Sequence, residues 1–233
     1  MSRIDVFLVH GIAEKIGENY YDDFVMGIRK HLPIAADVSF HPIDYSHLLA
    51  DKEQEIFSWM KDMGYTKVRK FACDFICDAL AYGYPKQSPD VGDFIFDLHE
   101  LLRRKYRMVC DVYPDSKKVI IGHSLGSLVA YGFTFEEHFD ALITMGSPFC
   151  YFSIRYKNFG ENNPNLKQFW NFWKQYDVIS TKIAKNPNFK SVKDVQVTSW
   201  NPKDCVPRLA HSAYWNSEQV HKKVGEILKG LKE

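Results

Sequence analysis

Ser124 stands between Gly122 and Gly126 in the run VIIGHSLGSLVAYGF, residues 119–133. A hydroxyl placed so can attack a carbonyl carbon if three partners reach it. They are a base to take its proton, a carboxylate to orient the base, and N–H groups to hold the resulting oxyanion. The glycine spacing has its own physical reason. Where a buried strand turns at once into a helix, the corner residue is forced into a tight backbone conformation. Glycines two positions to either side remove side chains that would clash across the corner. The helix then starts beneath the serine, with its unpaired N–H groups and positive dipole end toward any anion. Composition alone yields this pattern in roughly one chain of this length in twelve. The apolar strand before it and the apolar-rich helix after it supply the context that the chemistry needs.

The base must come from a loop at the same end of the sheet. The chain has nine histidines. His123 adjoins the serine, so its side chain leaves the corner in another direction. His31, His41, His47, His99 and His138 lie upstream or on predicted helices and first loops. His10 closes the first strand and reads as a loop-ordering residue, and His221 falls inside the predicted last helix. His211, in RLAHSAYW, is expected in a loop between the last strand and that helix, which makes it the candidate base. An imidazole needs a carboxylate to fix its tautomer and stabilise its charge. Asp177, in FWKQYDVIS, is favoured because it follows a strand of its own and gives the order Ser, Asp, His. Asp204, in NPKDCVP and seven residues before His211, is the alternative acid. For the oxyanion, one donor is expected from the Leu125 N–H, next after the serine. The other is expected from the loop LVHGIAEK, where Gly11 permits close approach; the Ile12 N–H is the choice and Gly11 the reserve.

These residues need a scaffold. VFLV (6–9), KVIIG (118–122) and ALITMGSP (141–148) read as strands buried on both faces. ADVSFHPIDYS (36–46), QFWNFW (168–173) and DVQVTSW (194–200) complete the strand set. Tyr21, Phe24, Val25, Ile28 and Leu32 recur at helical spacing, and a helix is expected over 125–137. Val220, Val224, Ile227, Leu228 and Leu231 mark a last amphipathic helix. Residues 51–109 read as almost wholly helical, with Ser88-Pro89 opening a helix that carries Leu98, Leu101 and Leu102. Alternating helices and doubly buried strands predict an α/β fold, a mostly parallel sheet with helices on both faces. The expectation is one domain over 1–233, with 51–109 as a helical insertion or cap before the strand that leads to Ser124. The aromatic stretch 149–176 reads first as core and loop packing, with an acyl pocket as the livelier alternative.

Composition excludes other classes. Of 233 residues, 45% are hydrophobic and 25% charged, and the net charge is +1, so nothing points to nucleic acid. Five cysteines, an odd number in a chain large enough to need no staples, read as reduced thiols in a cytoplasmic setting. Cys73 and Cys77 lie four apart but lack nearby partner ligands, so no metal is expected. MSRIDVFLVHG reads as a strand rather than a secretion signal, and no apolar run is long enough for a transmembrane segment.

LVHGI, VIIGHSLGS, ALITMGSP, DVIS and HSAYW, in that order over residues 4–215, resemble the α/β-hydrolase superfamily, and within it the lipase- and esterase-like serine hydrolases. The resemblance implies Ser124 as nucleophile, Asp177 as acid and His211 as base, acting on a small-molecule ester or lipid-like substrate without cofactor. It differs from the lipase pattern in having Asp-Val-Ile where Asp-Pro-Val is usual, which keeps Asp204 open, and in opening on a stretch that reads as a strand where an exported lipase is expected to carry a secretion signal. Rival readings are a catalytically silent binding protein of the same fold, and a thioesterase or acyltransferase using the same triad.

Overall fold

A computed structural model describes residues 3–11, 20–45, 89–155, 163–184, 186, 189, 191–198 and 207–232. Within them a six-stranded sheet is formed by β1 (Ile4–Val9), β2 (Val38–Ile43), β3 (Lys117–His123), β4 (Ala141–Met145), β5 (Phe169–Trp173) and β6 (Val192–Gln196). The strand order is β2-β1-β3-β4-β5-β6, and every pairing is parallel. Pro42 sits in β2, at the sheet edge, where a residue without an N–H breaks no ladder.

The central strands are apolar on both sides because helices cover both faces. Ile4, Val6 and Leu8 of β1 join Val119 and Ile121 of β3 in one core. That core is covered by α1 (Tyr20–Arg29), through Phe24 and Ile28, and by the C-terminal helix Glu218–Gly230, through Val220, Val224 and Leu228. Phe7, Val9 and Ile120 point the other way. They meet α2 (Pro89–Val112), through Leu98, Leu102, Tyr106 and Val109, and α3 (Gly126–Phe133), through Leu128 and Val129. The later part of the 51–109 helical segment therefore belongs to a layer on the sheet; residues 51–88, with Cys73 and Cys77, lie outside the described residues. Among the described residues no helix is long and apolar enough to cross a membrane.

Two further helices are short: α4 (Phe149–Arg155) and α5 (Pro207–Ser212). The expected last strand begins two residues earlier than DVQVTSW, because Val192 pairs with Phe169 at the start of β6. The described residues of the aromatic stretch divide between core and surface. Phe149, Phe152, Phe169 and Phe172 are buried, and Phe149 meets Phe169 and Phe189 at ring distances of 5.7 and 5.5 Å. Tyr151 and Tyr176 stay exposed.

The strand order fixes where a site can form. The chain leaves β1 for β2 on one side, then returns past β1 to β3 and continues to β4 on the other. The loops after β1 and β3 therefore diverge, and a crevice opens at the carboxyl ends of these two strands. Ser124 follows β3, and His10-Gly11 follow β1.

Two buried carboxylates at the opposite end of the strands predict how the fold responds to acid. Burial favours a raised pKa for Asp5, but hydrogen bonds from Arg3, Ser116 (2.6 Å) and His41 (2.8 Å) outweigh it and lower the pKa. Burial likewise favours a raised pKa for Asp140, and the Lys167 ammonium (2.8 Å) and the Lys118 N–H (2.9 Å) bring it below the ordinary value. A carboxylate whose folded pKa is depressed contributes stability that is full above its unfolded pKa, about 3.9, and is lost as pH falls through the folded value. Denaturant midpoints are therefore expected to hold down to about pH 5 and fall steeply below about pH 4. Midpoints that stay level to pH 2.5 would contradict this account.

Candidate active site

The corner after β3 is built as the glycine spacing requires. Ser124 has φ +53°, the one positive φ outside glycine among the described residues. An L-residue there costs roughly 1–3 kcal/mol, and the surroundings hold it in place. The Ser124 N–H donates to Met145 O on β4 at 2.9 Å, and Ser124 O accepts from the Ser127 N–H at 3.0 Å. A Cβ on Gly126 would lie 2.2 Å from His10 O and 2.6 Å from Val9 O; one on Gly122 would lie 2.5 Å from Gly126 O. The start of α3 is thus pressed against the end of β1. Gly126→Ala is expected to cost about 3 kcal/mol, because the obstructing atoms are backbone and cannot swing aside. The readout is the urea midpoint, and an unchanged midpoint would show that the two segments separate easily.

His211 comes from α5, and its Nε2 lies 2.8 Å from Ser124 Oγ. Its Nδ1 lies 3.0 Å from each oxygen of Asp177. Asp177 is buried, and its other donors are the Ile179 N–H to Oδ1 at 3.0 Å and the Tyr214 hydroxyl to Oδ2 at 2.9 Å. Burial works to raise the Asp177 pKa, but the bond and charge of His211, the Ile179 N–H and the Tyr214 hydroxyl together lower it. The carboxylate is therefore charged and can only accept. His211 Nδ1 must carry a proton toward it, which leaves Nε2 to accept from the Ser124 hydroxyl. This is the proton arrangement in which a serine can be activated.

On the other side of the serine, Gly11 comes so close that a Cβ there would lie 2.7 Å from Ser124 Cβ. The buried His10 holds this loop. Its Nδ1–H donates to Gly11 O at 2.6 Å, its ring stacks on Tyr45 at 4.2 Å, and the Tyr45 hydroxyl donates to His10 O. Leu125 lies immediately ahead of α3, whose Ser127 and Leu128 N–H groups donate to Ser124 O and Leu125 O at 3.0 and 2.9 Å. Among the described residues, no group of three or more His, Cys, Asp or Glu side chains could hold a metal ion.

No protein-family model matches the sequence, and no curated protein matches it. Solved structures do match. An esterase domain from a Rhodothermus marinus protein superposes with a TM-score of 0.50 at 15% identity, over 98% of this chain and 85% of that one. The chain has the α/β-hydrolase fold. A protein described as a hydrolase of the alpha/beta superfamily, from Xanthomonas campestris, gives a TM-score of 0.49 at 14% identity over 95% of this chain and 98% of that one. An esterase from Pyrococcus furiosus gives 0.48 at 16% identity over 98% and 83%. At such identities the likeness is one of fold, and fold alone does not determine chemistry.

Within this hydrolase fold the structure brings together Ser124, His211 and Asp177, with Leu125 and the reserve residue Gly11 beside the serine. Ile12 and the alternative acid Asp204 lie outside the described residues. One expectation is corrected: His211 sits in the short helix Pro207–Ser212 rather than in a loop. Two residues escaped the sequence reading. His123 does turn away from the serine, but it turns toward His211: its buried Nε2–H donates to His211 O at 2.8 Å. Tyr214 reaches Asp177 from three residues beyond His211. HSAYW carried the only hint of Tyr214, and nothing in the sequence says which carboxylate its hydroxyl meets.

Proposed function

We propose that this chain is a serine hydrolase that cleaves carboxylic esters through an acyl-enzyme, with Ser124 as nucleophile, His211 as general base and Asp177 as the acid of the triad. The observation that carries the reading is the continuous line from Ser124 Oγ through both ring nitrogens of His211 to Asp177, with no step longer than 3.0 Å. Its three members come from separate segments that meet at the carboxyl ends of the strands, where open α/β sheets bind ligands.

In the first half-reaction His211 Nε2 takes the Ser124 proton as Oγ bonds to the ester carbon. The oxyanion is held by the Leu125 N–H and by the loop after β1, through the Ile12 N–H with Gly11 in reserve. The carbon–oxygen bond to the alcohol breaks, and His211 returns the proton to the departing oxygen. Water then attacks the acyl carbon, gives a proton to His211, and Ser124 leaves with that proton restored. Asp177 stays ionised throughout and stabilises the imidazolium. No metal or organic cofactor enters these steps. Exposed Tyr176 and Val178 flank Asp177, exposed Leu209 lies two residues from His211, and Tyr151 donates to Val178 O at 2.6 Å. The substrate on this reading is a small-molecule or lipid-like ester. On this reading residues 1–233 form one domain, with 51–109 as its helical insertion, in a cytoplasmic enzyme.

A fluorophosphonate probe tests the proposal. One covalent adduct per chain, on Ser124, together with hydrolysis of esters of graded chain length, is the expected result. No adduct and no turnover would favour a silent binding protein of the same fold. Faster transfer to an added alcohol or thiol than to water would move the reading to an acyltransferase.

A further inference from the structure

We propose that Tyr214 is a positioning residue for the Asp177–His211 pair, holding Asp177 Oδ2 at the end of a one-way hydrogen-bond chain that starts at the Lys174 backbone N–H. This rests on the triad reading above and adds to it a residue that does not touch substrate. The chain is short and complete. The Lys174 N–H lies 3.2 Å from Ser180 Oγ, Ser180 Oγ lies 2.8 Å from the Tyr214 hydroxyl, and that hydroxyl lies 2.9 Å from Asp177 Oδ2. Its direction follows from what each group can do. A carboxylate only accepts, so the single phenol proton points to Asp177. Ser180 must then donate its own proton to the phenol oxygen, and it accepts the Lys174 N–H in turn. Burial first, then the Asp177 charge, raises the Tyr214 pKa, so the phenol keeps its proton and remains a donor.

The consequence is geometric. Asp177 Oδ1 is held by the Ile179 N–H and Oδ2 by Tyr214, so the carboxylate cannot turn about its last bond, and both oxygens stay 3.0 Å from His211 Nδ1. The two rings also share a floor. Gly146 has φ +60°, and a Cβ there would lie 3.1 Å from the His211 ring and 3.1 Å from Tyr214 Cε2. The groups facing Tyr214 include His123, 5.9 Å away between ring centroids, and the Lys174 ammonium, 5.3 Å from the phenol ring centroid. A free serine hydroxyl and an exposed carboxylate would reorient at little cost; here the chain removes that freedom before imidazolium charge develops.

The test uses Tyr214→Phe, Ser180→Ala and Asp177→Asn, read by fluorophosphonate labelling and by hydrolysis of a short p-nitrophenyl ester. Tyr214→Phe is expected to remain labelled, to lower kcat on the order of tenfold, and to leave KM within about twofold, the pattern of a hydrogen bond to a charged group felt in the transition state. The acid limb of its pH profile is expected to move to higher pH, because a carboxylate with one donor fewer holds an imidazolium more strongly. Ser180→Ala is expected to shift both quantities the same way by less, and it carries the test if Tyr214→Phe does not fold. In an Asp177→Asn background Tyr214→Phe should cost nothing more. Wild-type kcat and an unmoved pH profile in both single variants would overturn the proposal, as would an undiminished loss in the Asp177→Asn background. Absence of labelling and turnover in the wild type would instead overturn the hydrolase reading itself.

Discussion

Replacing Ser124 by alanine is expected to abolish fluorophosphonate labelling and to lower kcat on the preferred ester by about 10⁵–10⁶-fold, the scale seen when a triad nucleophile is removed. The remaining rate over water would come from oxyanion donors and binding. The fold should survive, because alanine removes a single oxygen whose partner is His211 Nε2. Alanine also keeps the Cβ that already tolerates φ +53° at this position. Thermal melts beside the kinetics separate the two effects. A Ser124→Ala protein that melts like the wild type and still hydrolyses esters at wild-type rate would remove Ser124 as the nucleophile, whose hydroxyl lies 2.8 Å from His211 Nε2.

Asp177→Asn carries the second large effect, about 10⁴-fold in kcat, against a change of less than about threefold for Asp204→Asn. The reason is a proton in the wrong place rather than a missing contact. The asparagine amide can turn an N–H toward His211 Nδ1, which then has to accept. The imidazole proton moves to Nε2, 2.8 Å from Ser124 Oγ, where it blocks the transfer it should receive. Tyr214 and the Ile179 N–H, which now donate to a charged carboxylate, add to the disturbance by favouring one amide orientation over the other. Comparing kcat of the two variants at one pH decides the matter. A larger loss in Asp204→Asn would move the acid to that residue and leave Asp177 as a structural partner of His211.

Parts of this arrangement were legible residue by residue. The strands β1, β3 and β4 are apolar on consecutive residues because both their faces are buried, and the sequence displays that burial directly. The corner at Ser124 was legible because its glycines answer a local demand: Gly126 must lie against the end of β1, and no side chain fits there. The helix Phe149–Arg155 was not legible. Its Phe, Tyr and Ile residues are modest helix formers, and the packing of Phe149 and Phe152 into the core stabilises it instead. The start of β6 was missed for a similar reason: on an edge strand only the partner, here Phe169, sets the register.

What the sequence by itself determined is the class of chain and the place of the serine, because periodic burial and a tight glycine corner are properties of neighbouring residues. That Asp177 meets the His211 ring, that His211 sits on a short helix, that His123 donates to the His211 carbonyl and that Tyr214 reaches Asp177 were decided only by the tertiary structure. These are contacts between residues 34 to 88 apart, Asp177 with His211 at the near end and His123 with His211 at the far end. Tyr214 meets Asp177 across 37 residues. No local pattern encodes such a meeting, because a hydrogen bond depends on where two side chains end in space, and the sheet order sets that only once the whole chain has packed.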